Sequence, residues 1–320
     1  MTTNSNGNIK QQIPSTNIVG KFSVENSSVV SFSLDDMNLL GFSGQNAMVR
    51  GSFFADDSEA YGATAITVKT PVIVQTQAVY VTETGNTNAI SVTDVNQGQI
   101  GDCYFLSPLI ECAAFHPSTI TNAIKVNSNG TSTVTLYTDS NGKPVSFNTK
   151  TFKQTSVTVT NTFQSNSVNN GSTQAILKNL TSSTKEIWPS IMEKAFAQLY
   201  GGYNAISNGG FPTLAMETLT GKEATATTKA SSMSEANITS LLNSGAMLTV
   251  DTFYANSIYN TVGHHCYAIT GQKTINGVLN VAVTNPWGVY APGTQTSNGT
   301  GFIPISKVSS IFVELDVGHF

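Results

Sequence analysis

Two apolar runs, Cys266-Tyr267-Ala268-Ile269-Thr270 and Val278-Leu279-Asn280-Val281-Ala282-Val283, flank the turn-prone segment Thr274-Ile275-Asn276-Gly277. Asn-Gly tolerates the positive φ angles that a short hairpin turn demands, so the two runs are expected as neighbouring antiparallel strands. With Ala246–Val250 as a further β run, everything beyond about residue 226 reads as mostly β. Upstream the period changes. Between Glu186 and Tyr200 the apolar residues fall at 187/188, 191/192, 195/196 and 199/200, the spacing of a helix buried along one side, and Gly201-Gly202 ends it. Cys103–Phe115 is dense enough in apolar residues for a second helix stopped by His116-Pro117, although Pro108 within it removes a backbone hydrogen bond at a cost of about 3 kcal/mol. Val134–Leu136 and Pro144–Phe147 are expected to pair around Asp139-Ser140-Asn141-Gly142, and residues 156–184 read as an Asn/Ser/Thr-rich insertion. The chain is thus expected to be α+β: an N-terminal extension over 1–89, a helical lobe over 90–225 and a β-rich lobe over 226–320. Within the extension, residues 1 to about 20 read as a tail, followed by irregular β-structure with alternations such as Val29–Ser33 and Ala65–Val68.

Charged residues make up only 11% of the 320, against roughly 25% in an average soluble protein, and hydroxyl and amide side chains take their place. The net charge is -4 and no basic stripe could neutralise a run of phosphates, which argues against nucleic acid as a partner. No run approaches the roughly 18–20 apolar residues that span a bilayer. The first twenty residues lack the apolar core of a secretory signal, and the charge-poor surface is compatible with a secreted or cell-surface protein, so the compartment stays open. Three cysteines, Cys103, Cys112 and Cys266, are too few for a disulfide framework and leave at least one free thiol in a monomer.

That thiol has a candidate. In Gln97-Gly98-Gln99-Ile100-Gly101-Asp102-Cys103 a glycine-containing turn delivers Cys103 to a helix start, where the helix dipole favours the nucleophilic thiolate. Taken alone it reads more readily as a small core cysteine, a role that suits Cys112 better still. A thiolate nucleophile needs a proton shuttle, and of the four histidines only His264 and His265 lie in a strong strand pattern. His265 and Asn285 each stand ten residues from Ile275, so the hairpin is expected to bring imidazole and amide to the same end of neighbouring strands. The amide oxygen would then fix the ring tautomer and leave the other ring nitrogen for sulfur.

These segments resemble the protease core of the calpain family. The family's Q-G-x-x-G-D-C-W block is matched from Gln97 to Tyr104, its G-H-A-Y-S-V-T-G block from His264 to Gly271 and its N-P-W-G by Asn285–Gly288. The helix beginning at Glu186, followed by Gly209-Gly210 and Glu217–Gly221, is similar as well. The resemblance covers roughly residues 90–320 and implies a papain-like fold of two lobes. It implies a Cys103–His265–Asn285 triad, with Gln97 donating to the oxyanion beside the Cys103 amide and Trp287 shielding the His–Asn pair from water. It also implies protein or peptide substrates. Tyr104 replaces the family tryptophan, and His264 stands where the family has glycine. By the same resemblance Asp94 and Glu193 would hold a single calcium ion. A second family calcium site has no counterpart, because Val289–Phe312 contains no Asp or Glu. Two other readings stand beside endopeptidase action: a catalytically silent binding or surface module, and acyl transfer to amines as transglutaminases perform.

Overall fold

The computed structural model describes residues 77–82, 88–164, 185–297 and 299–320, together with short strands at 2–3, 9–10, 20–24, 28–32, 71–72 and 178–179. The alternation expected at Ala65–Val68 lies outside the described residues, as do most positions of the expected insertion beyond residue 164. Through the rest the fold is α+β. It starts with helix α1 (Cys103–Phe115), α2 (Pro117–Ala123) and a three-stranded antiparallel sheet of β1 (Ile124–Val126), β2 (Thr131–Asp139) and β3 (Phe152–Thr160). Helices α3 (Trp188–Tyr200) and α4 (Pro212–Thr220) follow. The remainder is β4 (Thr225–Thr227), helix α5 (Glu235–Asn243), β5 (Met247–Thr252), β6 (His265–Ile275), β7 (Val278–Thr284), β8 (Thr294–Ser297), β9 (Thr300–Pro304) and β10 (Glu314–Gly318). These last strands form one antiparallel sheet in the order β4-β10-β5-β6-β7-β9-β8.

Helix α1 decides how the parts meet. Every residue from Cys103 to Ala113 is buried, as expected of a helix that is apolar on all sides. One side joins Phe105 to Phe196 of α3, stacked at 4.1 Å between ring centroids. The other lies against β6 and β5, where the buried Glu111 carboxylate accepts the Leu248 N–H at 3.3 Å. Pro108 does not break the helix. The bond it forfeits is worth about 3 kcal/mol, and burying Leu106, Leu109 and Ile110 completely, each worth about 1.5–3 kcal/mol, outweighs it. Two apolar clusters result, one around α1, α3 and α4 and the other between the large sheet and α5.

Two expectations require correction. The strand paired with β2 is Phe152–Thr160, whereas Pro144–Phe147 is irregular, so the stretch read as an insertion from residue 156 begins inside a strand. The β3 side chains are mostly Thr, Ser and Lys on the open face, so their alternation is weak to the eye. In the β6–β7 hairpin the turn is centred on Asn276-Gly277, with Ile275 opposite Val278, and Asn276 and Gly277 both have positive φ. A bulge at Thr270 then shifts the register, so that Ala268 faces Thr284. Continuing that register, Asn285 falls beside Tyr267, and His265 is its diagonal neighbour on the same face and not its direct partner.

Candidate active site

The candidate side chains stand at the ends of their elements. Asp102 is the N-cap of α1 and Cys103 its first residue. The approach to it is fixed by Gly101, whose N–H donates to Ser207 O at 2.7 Å and whose carbonyl accepts the Gly209 N–H at 2.8 Å. A methyl group on Gly101 would meet Ser207 O at 2.8 Å, which is why this position of the turn is glycine. His265 opens β6, preceded by His264 at φ 50, a left-handed conformation that glycine would adopt without cost. Asn285 follows the last residue of β7.

The structure brings His265, Asn285 and Trp287 together. His265 Nε2 and Asn285 Oδ1 are 2.9 Å apart. The same Oδ1 accepts the Trp287 main-chain N–H at 3.0 Å, and Asn285 Nδ2 donates to Tyr290 O at 3.2 Å, so the amide is held at both ends. The indole of Trp287 lies over the imidazole at 4.6 Å between centroids, tilted by 46°. Gln97 is tied to this corner by its main chain, its N–H donating to Pro286 O at 2.7 Å. Its side-chain Nε2 donates to Ile100 O at 2.7 Å, which uses one of two amide hydrogens. Cys103 meets the group through the neighbour of His265: its sulfur packs against Cys266 and accepts that residue's main-chain N–H.

The centre is closed to solvent, with Cys103 and Asn285 at 0% exposure and His265 at 1%. Burial pushes the Cys103 thiol well above its ordinary range, although the Cys266 N–H favours the thiolate. Burial likewise lowers His265 to about 4, a shift that the Asn285 hydrogen bond partly offsets. At neutral pH the closed centre therefore holds a thiol and a neutral imidazole, and an entering substrate has to open it.

Asp94 and Glu193 are both buried, but each already serves the protein. Asp94 Oδ2 accepts the Ser91 N–H at 2.7 Å and the Trp188 indole N–H at 3.1 Å, closing a capping box over residues 91–94. Glu193 is hydrogen-bonded to the carboxyl of Asp102. A calcium ion takes six to eight oxygen ligands, and these two carboxylates, engaged by N–H and carboxyl donors, do not fit a ready cage.

Three participants escaped the reading of the sequence. Asp102 is wholly buried and is pushed up to about 7, first by burial. Cys266 touches Cys103, and its thiol faces the buried carboxyl of Asp251. Asp251 is itself buried beside Asp316, which accepts from Thr249 Oγ1 at 3.1 Å. The available signal was an acid in the otherwise apolar run that becomes β5, since such a residue is either exposed or held by a partner.

Residues 75–298 match the calpain family of cysteine proteases. No curated protein matches the chain. A match over most of the chain, with a cysteine at a buried helix start and an imidazole locked by an asparagine beneath a tryptophan, leads to one conclusion: the chain belongs to the calpain family of cysteine proteases.

Proposed function

We propose that the chain is a calpain-like endopeptidase that cleaves protein substrates through Cys103, His265 and Asn285. The observation that carries the reading is the 2.9 Å contact between His265 Nε2 and Asn285 Oδ1, because it dedicates one ring nitrogen to orientation and leaves Nδ1 for proton transfer. In this mechanism His265 takes the thiol proton as the Cys103 sulfur adds to the scissile carbonyl. Negative charge on the carbonyl oxygen is met by the Cys103 main-chain N–H at the helix start and by the second amide hydrogen of Gln97. One such donor is worth about 3–4 kcal/mol in comparable enzymes. His265 then protonates the leaving amine, and water hydrolyses the Cys103 thioester. Trp287 over the ring keeps water from competing for the His–Asn hydrogen bond.

The competing reading, a silent binding module, draws on the burial that keeps the thiol protonated and the imidazole neutral. Incubation with an unfolded protein, followed by fragment analysis, separates the readings. The wild type releases peptides, Cys103→Ala releases none, and Asn285→Ala keeps a residual rate lowered by about 10²–10⁴-fold, because orientation is lost and not the nucleophile. Undiminished cleavage by Cys103→Ala removes the proposal. Absence of cleavage and of Cys103 labelling by an epoxide inhibitor supports the silent module, and cross-linked products support acyl transfer. Calcium dependence through Asp94 and Glu193 is a separate proposal, which requires an ion to displace the Trp188 indole and the Asp102 carboxyl. The same assay in excess chelator tests it: a rate that falls, returns with calcium and is weakened in Asp94→Asn establishes the ion, and an unchanged rate excludes it.

A further inference from the structure

Cys266 has no part in the peptidase chemistry, yet it is buried against the nucleophile. Cys103 and Cys266 are both free thiols at 0% exposure and form a two-residue cluster of their own, apart from the two apolar cores. The Cys266 main-chain N–H reaches the Cys103 sulfur, so the two residues approach within a side-chain length, as a disulfide requires. The third cysteine cannot substitute, because Cys112 lies nine residues further along α1, about 13 Å at 1.5 Å per residue.

We propose that Cys266 is a resolving thiol, which converts peroxide-oxidised Cys103 into a Cys103–Cys266 disulfide and so makes oxidative inactivation reversible. The inference rests on Cys103 being the nucleophile of the reading above. His265 takes the Cys103 proton as the sulfur attacks one oxygen of hydrogen peroxide, the O–O bond breaks, and the departing oxygen recovers that proton and leaves as water, giving Cys103 sulfenic acid. The Cys266 sulfur then attacks the Cys103 sulfur, and its thiol proton is released to the departing oxygen. The S–O bond breaks, and the departing oxygen, so protonated, leaves as water. In sum two thiols and one peroxide yield a disulfide and two waters, the sulfurs losing the two electrons that peroxide gains. With no resolving thiol the sulfenic acid proceeds to sulfinic acid, which ordinary thiol reductants do not reverse.

The test exposes the full chain to hydrogen peroxide, maps cysteine linkage by non-reducing peptide mass spectrometry, and then adds dithiothreitol. The wild type is expected to lose two hydrogens in a Cys103–Cys266 linked peptide and to regain its thiols and its own untreated rate. Cys266→Ala and Cys266→Ser are expected to accumulate Cys103 sulfinate and to recover about tenfold less of their own untreated rates. Linkage mapping needs no proteolysis, so it stands or falls independently of the peptidase reading. A wild-type chain that carries Cys103 sulfinate, a different linkage or no oxidised Cys103 overturns the proposal. Equal recovery by the Cys266 variants overturns it too.

Discussion

Asp102 directly precedes Cys103, and its wholly buried carboxyl shares a hydrogen bond with that of Glu193. Two adjacent carboxyls out of water cannot both ionise cheaply, so a proton stays between them. The consequence falls on the next residue, because a negative charge on Asp102 opposes the Cys103 thiolate. Asp102→Asn removes the charge and keeps a donor toward Glu193. It is expected to move the pH profile of Cys103 alkylation by iodoacetamide to lower pH and to raise the rate at pH 7 by up to about tenfold, the effect of one unit in thiol acidity. A profile that stays in place or moves to higher pH rules out this electrostatic role. His264 illustrates the same scale from the backbone side. The family resemblance has glycine there, and φ 50 explains the preference. A left-handed histidine carries a cost of about 1–2 kcal/mol, and the Phe253 ring at 4.7 Å offers it packing in return.

Among the elements, α4 shows how a helix end and a neighbouring strand constrain one residue. Gly221 closes α4 at φ 68, and its N–H donates to Glu217 O at 2.8 Å. A Cβ there would run into the ring of Tyr137 on β2. Gly201 closes α3 at φ 104, but a Cβ on it would meet only the Ala205 methyl at 3.9 Å. Gly201→Ala should therefore cost about 1 kcal/mol for the left-handed backbone alone. Gly221→Ala should cost about 2–4 kcal/mol, because overpacking adds to that strain. Urea unfolding of both variants checks the difference, and Tyr137→Ala in the Gly221→Ala background should return part of the loss. Equal midpoints for the two glycine variants contradict the argument.

For the molecule as a whole, buried titratable groups set the pH of greatest stability. His265, lowered to about 4 from 6.5, takes up a proton more readily unfolded than folded. Its contribution is complete above about 6.5 and is lost as pH falls toward 4, a change of about 3 kcal/mol in full. Asp102, Glu111, Asp251 and Asp316 have the opposite sign. Burial holds their protons on in the folded state after the unfolded chain has released its own, so stability falls as pH rises from about 4 through neutrality. Four carboxyls outweigh one imidazole. The Tm is expected to be higher near pH 5 than near pH 8, by about 5 °C or more. A scan showing equal or greater stability at pH 8 would refute this balance.

The sequence by itself determined most of the local elements and the family. The Asn276-Gly277 turn committed β6 and β7 to pair, the four-residue apolar spacing marked α3, and the dense apolar run from Cys103 marked α1. Those signals are legible because they depend on neighbours a few residues apart. The order of the motifs also carried the resemblance that the family match bears out. Tertiary structure decided what depends on distant partners. The strands β9 and β10 were missed because Gly301 and Pro304 interrupt one and Glu314 and Asp316 blur the apolar pattern of the other, and the sheet supplies the hydrogen bonds that make both strands. The bulge at Thr270 sets Asn285 beside Tyr267 and so diagonal to His265 on one face, where an uninterrupted register would put the two on opposite faces. Glu193, read as a calcium ligand, is joined to Asp102, and Cys266, read as an ordinary strand residue, lies against Cys103. No periodicity records such meetings, since the packing of α1 against β6 alone brings residues 163 positions apart into contact, and burial then sets which protons they hold.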